Sequence, residues 1–359
     1  MRFSDELWQM ILYSRAGLSW FNLTFDVPFT VLSDDGTGNL LPTFNFEAMR
    51  LMVREEPFWI GFTGLELQPV PDVILYCELG GNIRRDGAEA YMEATGRAFL
   101  PANPDNPDLD SPPNTTSPWI WKINNFQWWM IDSGIAYKIN SVVAVEAGFR
   151  VEHFDFKLVD PRNFTTPLPG DPGGNRPITN LIIAPRMCPE AVGQAIGDPL
   201  EKTWIPYLGI RGIGRLCCGN DCKGRPLTSV DYKWRLRGSP LAWNYWRDPM
   251  ILSYFCPPIP ATEVNQAAYT MNGRYGLFLE ADLEGLMPLN PSWTAGFWVR
   301  GSWLSFNGQP VGLDFTVLNQ GTVTPGSEIF GARPGSATSN EGSFQRSFYS
   351  LGGSLTWSF

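Results

Sequence analysis

The sequence predicts an all-β fold, a transmembrane antiparallel up-and-down β-barrel of about ten strands. Three observations support this prediction: long stretches carry apolar residues at every second position, no apolar run approaches the length of a membrane helix, and the final stretch alternates up to a terminal aromatic residue. Successive side chains of a strand point to opposite faces, so a period of two indicates strands. Only helices and closed barrels satisfy every backbone polar group in lipid.

The clearest alternation lies in residues 269–303, which we interpret as two strands joined by a short turn at 288–291. About 9–11 residues of a tilted strand cross a bilayer. We expect the apolar face to meet lipid and the polar face to line the lumen. In a soluble sheet the apolar face would instead cover a core, so a soluble β-sandwich is the alternative fold. In the first strand, the predicted lipid-facing residues are Tyr269, Met271, Tyr275, Leu277, Leu279, Ala281 and Leu283.

The last stretch of the chain alternates in the same way. Its apolar positions are Tyr349, Leu351, Leu355, Trp357 and Phe359, and small polar residues or glycine separate them. A closing strand that ends in Phe resembles the assembly signal of bacterial outer-membrane barrels, whose final aromatic residue is presented at the periplasmic rim. The resemblance implies the barrel-assembly machinery as a partner.

Composition narrows the class of protein further. The chain has 359 residues, of which 43% are hydrophobic and 18% charged, so it is not disordered. Its formal net charge of −9 argues against a nucleic-acid partner. Residues 1–10 lack the basic start and apolar stretch of a secretory signal, and we therefore expect an exported, mature chain. We predict one domain, residues 1–359, and no cofactor.

The strands can be placed in order from residue 58 onwards, and before it only Phe21, Leu23 and Phe25 indicate a strand. The alternation predicts further strands over 58–68, 73–84, 119–138, 143–152, 204–215 and 230–237, followed by the hairpin and the closing strand. Between them we predict long outer loops near 86–118, 158–203, 238–268 and 307–345. Short turns at one end and long loops at the other are typical of outer-membrane barrels, and an even strand number places both termini in the periplasm.

Local segments then resemble one family. The segment 205–212 resembles the sixth strand of the omptins, a family of ten-stranded outer-membrane barrels that includes surface proteases, and 145–156 is similar to the fifth. Gly80-Gly81-Asn82 and the order of strands and loops agree, so the resemblance in layout covers residues 58–359. It implies a location in the bacterial outer membrane, with lipid and lipopolysaccharide as surroundings.

Omptin proteolysis, as the family implies, uses an Asp-His pair and an opposing acidic pair to activate a water molecule. Asn244 and Trp246 lie where the Asp-x-His should be, before Asp248-Pro249. Trp cannot accept a proton, so general-base catalysis fails there. Asp86 and Glu89 match the acidic pair only loosely. The resemblance therefore implies an inactive relative of the proteases.

The only histidine offers a second catalytic hypothesis. His153 lies two residues before Asp155, a spacing that brings both side chains to one face of a strand. The alternative is a solvated histidine above the membrane rim, which we favour because the family keeps no catalytic residue on this strand.

Charged residues on the polar faces predict a mixed-sign network in the lumen. Such a network would fill a narrow barrel with paired charges, whereas the alternative is a polar conduit for small solutes. We favour the network. Its predicted members are Glu78, Arg84, Asp132, Glu146, Arg150, Arg211, Lys233, Arg235, Arg274, Glu280, Asp282 and Arg300.

The cysteines indicate an oxidising compartment. Cys217, Cys218 and Cys222 crowd one predicted turn, while Cys188 and Cys256 lie in different predicted outer loops and could pair. Zinc would need a fourth ligand, and no histidine is near, so we favour disulfides and predict no metal site.

Together these features predict an integral outer-membrane barrel whose surface loops recognise an extracellular ligand or host surface. A pore for small solutes is the first alternative, and an active surface protease is the second.

Overall fold

The computed structural model describes residues 9–34, 40–54, 57–83, 88–98, 115–163, 195–197, 199–220, 226–251, 265–317, 337–339 and 341–359. Side chains are described for 9–26, 52, 57–83, 122–158, 199–216, 230–247, 270–310 and 342–359. Over these ranges the regular structure consists of β-strands. None of the described residues forms a helix that is long and apolar enough to cross a membrane.

Fourteen strand segments occupy the described ranges. They are β1 (Gln9–Asp34), β2 (Leu40–Arg54), β3 (Phe58–Val70), β4 (Val73–Asn82), β5 (Ala88–Ala98), β6 (Thr115–Lys138), β7 (Val143–Asn163), β8 (Ala195–Gly197), β9 (Leu200–Asn220), β10 (Pro226–Ile251), β11 (Asn265–Pro288), β12 (Trp293–Val317), β13 (Ala337–Ser339) and β14 (Glu341–Ser358).

These segments form a closed, antiparallel up-and-down barrel of ten strands, which confirms the predicted fold class. The ring runs β1–β3–β4–β6–β7–β9–β10–β11–β12–β14 and returns to β1. Strand β1 pairs with β3 over residues 9–19 and with β2 over residues 22–34. Towards the other end of the barrel, β2 and β5 therefore lie between β1 and β6, the positions that β3 and β4 occupy at the end with the short connections.

Short connections close one end of the barrel at residues 71–72, 139–142 and 289–292. Two of them share one device. The Asn140 Oδ1 accepts hydrogen bonds from the backbone N–H groups two and three residues later, at 2.8 and 2.9 Å, and the Asn290 Oδ1 does the same at 2.9 Å. Asparagine favours such turns because its side chain mimics a backbone acceptor. Gln9 and Phe359 also lie at this end.

The strands extend beyond the predicted loop boundaries at the other end. Strand β10 continues to Ile251, so the loop predicted at 238–268 is wrong over its first part, and β5 lies within the loop predicted at 86–118. Strands β7 and β12 likewise run into the loops predicted at 158–203 and 307–345. In β10 the reason is visible: the register shifts between Gly238 and Trp243, and this irregularity ends the simple alternation.

The two faces of the barrel reverse the arrangement of a soluble sheet. In β11, Leu277, Leu279 and Leu283 are exposed on the outside, whereas Glu280 and Asp282 are buried in the lumen. The same outward apolar face continues around the ring. It includes Leu75, Leu79, Ile131, Ile135, Val145, Phe149, Leu208, Ile210, Leu236, Phe297, Val299, Leu351 and Leu355. An outer apolar band around a polar interior is the pattern of a transmembrane β-barrel.

One irregularity reverses two of the predictions for β11. The pairing with β10 shifts between Ala242 and Asn244, and Tyr275 has a φ of 59°. The extra residue changes which parity faces inward, as a β-bulge does. Met271 is therefore buried rather than lipid-facing, and Arg274 is exposed rather than part of the lumen network.

Glycines in the lumen wall make room for tyrosine rings. A Cβ on Gly148 would lie 2.6 Å from Cζ of Tyr207 and 2.7 Å from the backbone oxygen of Ser133. A Cβ on Gly134 would likewise lie 2.7 Å from Cζ of Tyr76. Only glycine permits these approaches, so both tyrosines lie flat over neighbouring strands.

Candidate functional site

The lower lumen, on the side of the short connections, is filled by charged side chains that we call the ion-pair layer. All of them are buried. The layer consists of Arg15, Glu66, Glu78, Asp132, Glu146, Arg150, Arg211, Arg235, Arg237, Glu280, Asp282, Glu284 and Arg300.

Arg237 lies at the centre of this layer. Its guanidinium donates to Asp132 at 2.5 Å, to Glu146 at 2.7 Å and to Glu280 at 3.3 Å. Arg150 donates to Asp132 at 2.9 Å and to Glu280 at 2.8 Å, so two arginines share these two carboxylates. Buried charges persist only when they are paired and hydrogen-bonded, and here each charge helps to satisfy the others.

Some ion pairs of the layer reach across the lumen. Arg300 on β12 lies 2.8 Å from Glu78 on β4, although β12 and β4 are separated in the ring by β14, β1 and β3. Arg211 on β9 donates to Glu66 on β3, across an equal number of strands. The layer therefore joins distant walls of the barrel rather than lining each wall separately.

Tyrosines and a further arginine complete the layer. Arg15 donates to Asp282 at 2.7 Å and to Glu284 at 2.6 Å. The Tyr207 hydroxyl donates to Asp132 and lies 2.8 Å from the hydroxyl of Tyr76. Hydroxyls thus occupy lone pairs of the buried carboxylates that the arginines leave free.

Above the ion-pair layer, further from the short connections, lies a second set of side chains that we call the aromatic layer. It comprises Phe21, Phe25, Phe58, Phe62, Phe126, Trp128, Phe154, Phe156, Trp246, Phe344 and Phe348, all buried.

The aromatic layer also joins distant strands. The ring centroids of Phe21 on β1 and Phe154 on β7 lie 4.4 Å apart, and those of Phe25 and Trp246 on β10 lie 5.4 Å apart. Phe348 on β14 lies 5.1 Å from Trp128 on β6. These rings fill the lumen, where each buried Phe or Trp removes a large apolar area from water.

A polar cluster crosses the lumen at the height of the aromatic layer. Arg346 on β14 pairs with Glu152 on β7, its opposite position in the ring of ten, and with Glu201 on β9 at 3.3 Å. Asn244 donates to Glu201 at 2.9 Å and to Thr203 at 3.3 Å. The two lumen layers are therefore both tied across the barrel by ion pairs.

The positions compared with the omptin Asp-His pair are occupied by packing residues. Asn244 is buried against Glu201, and Trp246 is completely buried against Phe25. Asp86 lies outside the described residues. Glu89 and Asp248 lie in β5 and β10, but their side chains are outside the described set, so their predicted roles stay predictions.

His153 and Asp155 do lie side by side. The His153 Nε2 is 3.3 Å from the Asp155 Oδ2, and the imidazole stacks on Trp129 at a centroid distance of 5.2 Å. Their neighbours Glu152 and Phe154 are buried in the lumen, so the pair lies on the outer face of β7. It is separated from the lumen charges by the barrel wall.

The remaining predicted residues fall into three groups. The closing strand presents Tyr349, Leu351, Leu355, Trp357 and Phe359 outwards. There, Trp357 stacks on Trp293 at 5.5 Å, and the Phe359 N–H donates to the backbone oxygen of Met10 at 3.0 Å. Arg84, Cys188, Cys222 and Cys256 lie outside the described residues, as do the side chains of Cys217 and Cys218, and the disulfides stay predictions.

Among the described side chains, Cys77 is an exposed free thiol, and no group of three His, Cys, Asp or Glu residues could hold a metal ion.

Several members of the lumen layers were missed from the sequence. The alternation does place Arg237 and Glu152 on the polar faces of their strands, with the parity of predicted network members, but they were not included in the predicted network. Arg15 lies in the part of β1 before Phe21, where the apolar pattern does not indicate a strand, and Arg346 is flanked by the lumen-facing Phe344 and Phe348. No local signal in the sequence distinguishes these two from surface arginines.

Comparison with known proteins supports the fold. No family model matches the chain, and no curated protein matches it in sequence. The crystal structure of the outer membrane protease OmpT from Escherichia coli is similar over 100% of this chain and 99% of that chain, with a TM-score of 0.60 and 11% identity. A Pseudomonas aeruginosa FadL homologue aligns over 97% of this chain and 90% of its own, with 8% identity and a TM-score of 0.23. The first likeness shows an omptin-like barrel fold, as the sequence predicted.

Proposed function

We propose that this chain is an integral protein of the bacterial outer membrane with a closed lumen, and that it acts in recognition or adhesion through its outer end. One observation carries the proposal: ion pairs join distant strands at two heights, Arg300 to Glu78 in the ion-pair layer and Arg346 to Glu152 in the aromatic layer. A conducting path would have to separate these pairs.

The energetics favour a closed barrel over a pore. Removing one partner of a buried ion pair costs about 3–5 kcal/mol, because the other charge is left uncompensated. The phenylalanines above add an apolar barrier, which excludes ions by dewetting. A solute would therefore cross two barriers of different chemistry, whereas a porin offers a water-filled channel.

The apolar outer face of the barrel supports a lipid environment. The exposed leucines, isoleucines and phenylalanines suit the acyl chains of the outer membrane, and lipopolysaccharide would cover the outer leaflet. The outward aromatic residues of β14 are compatible with recognition by the barrel-assembly machinery.

The packing of Asn244 and Trp246 supports the absence of omptin-type proteolysis. Neither side chain can act as the base that such a mechanism needs, and both are buried. Recognition is then left to those parts of the predicted outer loops that lie outside the described residues, at 99–114, 164–194, 252–264 and 318–336. Loops held by a rigid scaffold commonly carry binding functions.

The experiment is a comparison of three activities of one reconstituted preparation. Proteoliposomes would be tested for solute-driven swelling, for cleavage of peptides rich in basic residues, and for adhesion to fixed epithelial cell layers. We expect adhesion alone. A variant in which a short Gly-Ser linker replaces 164–194 should lose adhesion, while a variant that replaces the turn at 289–292 serves as the control.

Swelling would contradict the proposal in favour of a pore, and peptide cleavage would contradict it in favour of a protease. Unchanged adhesion after replacement of 164–194, and after the same replacement of 99–114, 252–264 and 318–336 in turn, would remove the recognition role.

A further inference from the structure

Two adjacent cavities lie in the lower lumen beside the ion-pair layer. The outer one has a volume of about 110 Å³ and is lined by residues near strand ends, including Gln9, Thr294 and Ser358. The inner one has a volume of about 30 Å³ and is lined by Tyr13, Arg15 and Arg235, among others. Both cavities share the walls Glu66, Arg211, Ile213, Lys233 and Thr356.

Arg235 lies in the wall of the inner cavity without a close partner. It is only 8% exposed, and the nearest carboxylates, Glu66 and Glu146, lie 3.9 and 4.0 Å away. These distances exceed the reach of a hydrogen bond. The Nη1 atoms of Arg235 and Arg211 are buried without a hydrogen-bond partner in the described structure. The charge of Arg235 is therefore paired only at long range, and a buried N–H donor without an acceptor is costly, so this geometry favours a further acceptor.

The charges around the cavities leave an excess of cations. Arg15 is already paired with Asp282 and Glu284, and Arg211 is paired with Glu66. Lys233 and Arg235 then remain as the positively charged side chains of the cavity wall. Two carboxylate oxygens oppose this excess, Glu284 Oε1 and Glu146 Oε2, which are also buried without a hydrogen-bond partner among the described residues and could share water molecules with these cations.

We propose that these cavities bind a small oxyanion, a phosphate or a carboxylate. Arg235 and Arg211 would donate through their free Nη1 atoms, Lys233 would supply the third charge, and the Thr356 hydroxyl is a further donor in the shared wall. Guanidinium groups match the paired oxygens of phosphate and carboxylate. The anion would lie at the wall that the two cavities share, where Arg211 and Lys233 line both cavities and Arg235 lines the inner one. The outer cavity beside this wall has room for several water molecules, each taking about 30 Å³ in the liquid.

The site lies at the end of the barrel that carries the short connections and both described chain ends. Members of the ion-pair layer form part of its walls, and the aromatic layer separates it from the predicted outer loops to which recognition is assigned. The inference depends on the barrel fold and not on the proposed adhesion.

The test is calorimetric titration of sodium phosphate into the folded full-length barrel in a non-ionic detergent. Sodium acetate and sodium chloride at matched ionic strength are titrated in parallel. Wild-type protein should give saturable binding of phosphate, or of phosphate and acetate, but not of chloride. Lys233→Gln should weaken it about tenfold, the loss expected when one charge-assisted hydrogen bond of about 1.5 kcal/mol is removed. Lys202→Gln, at an exposed position of β9 near the other end, should bind as wild type does.

Saturation by phosphate alone would identify a phosphoryl ligand, and equal saturation by acetate would identify a carboxylate. Absence of saturable heat in wild-type protein would overturn the proposal and leave water in the cavities. Equal affinity in the folded Lys233→Gln variant would also overturn it. If that variant fails to fold, Arg235→Lys provides the same comparison, since it keeps the charge but removes the paired donors.

Discussion

The two layers of the lumen close the same barrel by different means. In the ion-pair layer, each group depends on particular partners: Arg237 contacts Asp132, Glu146 and Glu280 at once. In the aromatic layer, rings fill space: Phe21 contacts Phe154 at a tilted geometry, and Phe126 contacts Phe154 edge to face. The lumen of one barrel is thus closed by paired charges at one height and by the volume of aromatic side chains at another.

This difference predicts different tolerance to substitution. Charge compensation fails when one partner is lost, since the desolvation cost of the other partner persists. Volume filling degrades gradually, since neighbouring side chains relax into part of the space. Each prediction below concerns the free energy of unfolding, measured by urea denaturation in lipid vesicles.

The largest effect is expected for Arg237→Ala. Three buried carboxylates would lose a common partner, and we expect a loss of about 3–5 kcal/mol. The control is Arg215→Ala: Arg215 pairs with Asp231 at 2.7 Å, but its side chain is half exposed, so its loss should cost less than about 1 kcal/mol. Equal costs for the two variants would refute the idea that the buried layer depends on pairing.

The next effect concerns the aromatic layer. Phe154→Ala should cost about 3 kcal/mol because it leaves a cavity among Phe21, Phe126 and Phe156. Phe154→Leu should cost only about 1 kcal/mol, since most of the volume is kept. The lipid-facing Phe297→Ala should cost less than Phe154→Ala, because acyl chains fill the space. A Leu variant as damaging as the Ala variant would contradict the volume-filling account.

A smaller effect is expected where a ring of the ion-pair layer lies over glycine. Gly148→Ala would push Tyr207 away from Asp132 and should cost about 2 kcal/mol. Gly301→Ala is the matched control, because its Cβ would meet Tyr349 only at 3.7 Å, an ordinary contact. Comparable stability of the two variants would show that the layer accepts a shift of this tyrosine.

The same contrast explains what the sequence could predict. Charged residues between lipid-facing leucines reveal the lumen side, so Glu280, Asp282 and Arg300 were placed correctly inside the barrel. Phenylalanine suits both lipid and lumen, so Phe21 and Phe25 indicated a strand but not that their rings face inwards. The prediction from alternation also assumes a regular strand. It therefore placed Arg274 on the lumen face, whereas the bulge near Tyr275 turns this residue outwards.

The ion pairs across the lumen could not be predicted from the sequence. Arg346 and Glu152 meet because β14 and β7 occupy opposite positions in a ring of ten, a relation fixed by strand number and register rather than by local pattern. The resemblance to the omptins predicted the ten-stranded barrel, whereas the ion pairs across the lumen became visible only in the structure.

The closed lumen is tested most directly by conductance across a planar lipid bilayer. The barrel would be inserted at known orientation, with folding verified by its heat-dependent migration in gels. The account predicts no channel events from inserted wild-type protein, since ion pairs and aromatic rings occupy the lumen at two heights. Discrete, reproducible channels from the same folded protein would contradict it, because ions would then pass between Arg300 and Glu78 and between Arg346 and Glu152.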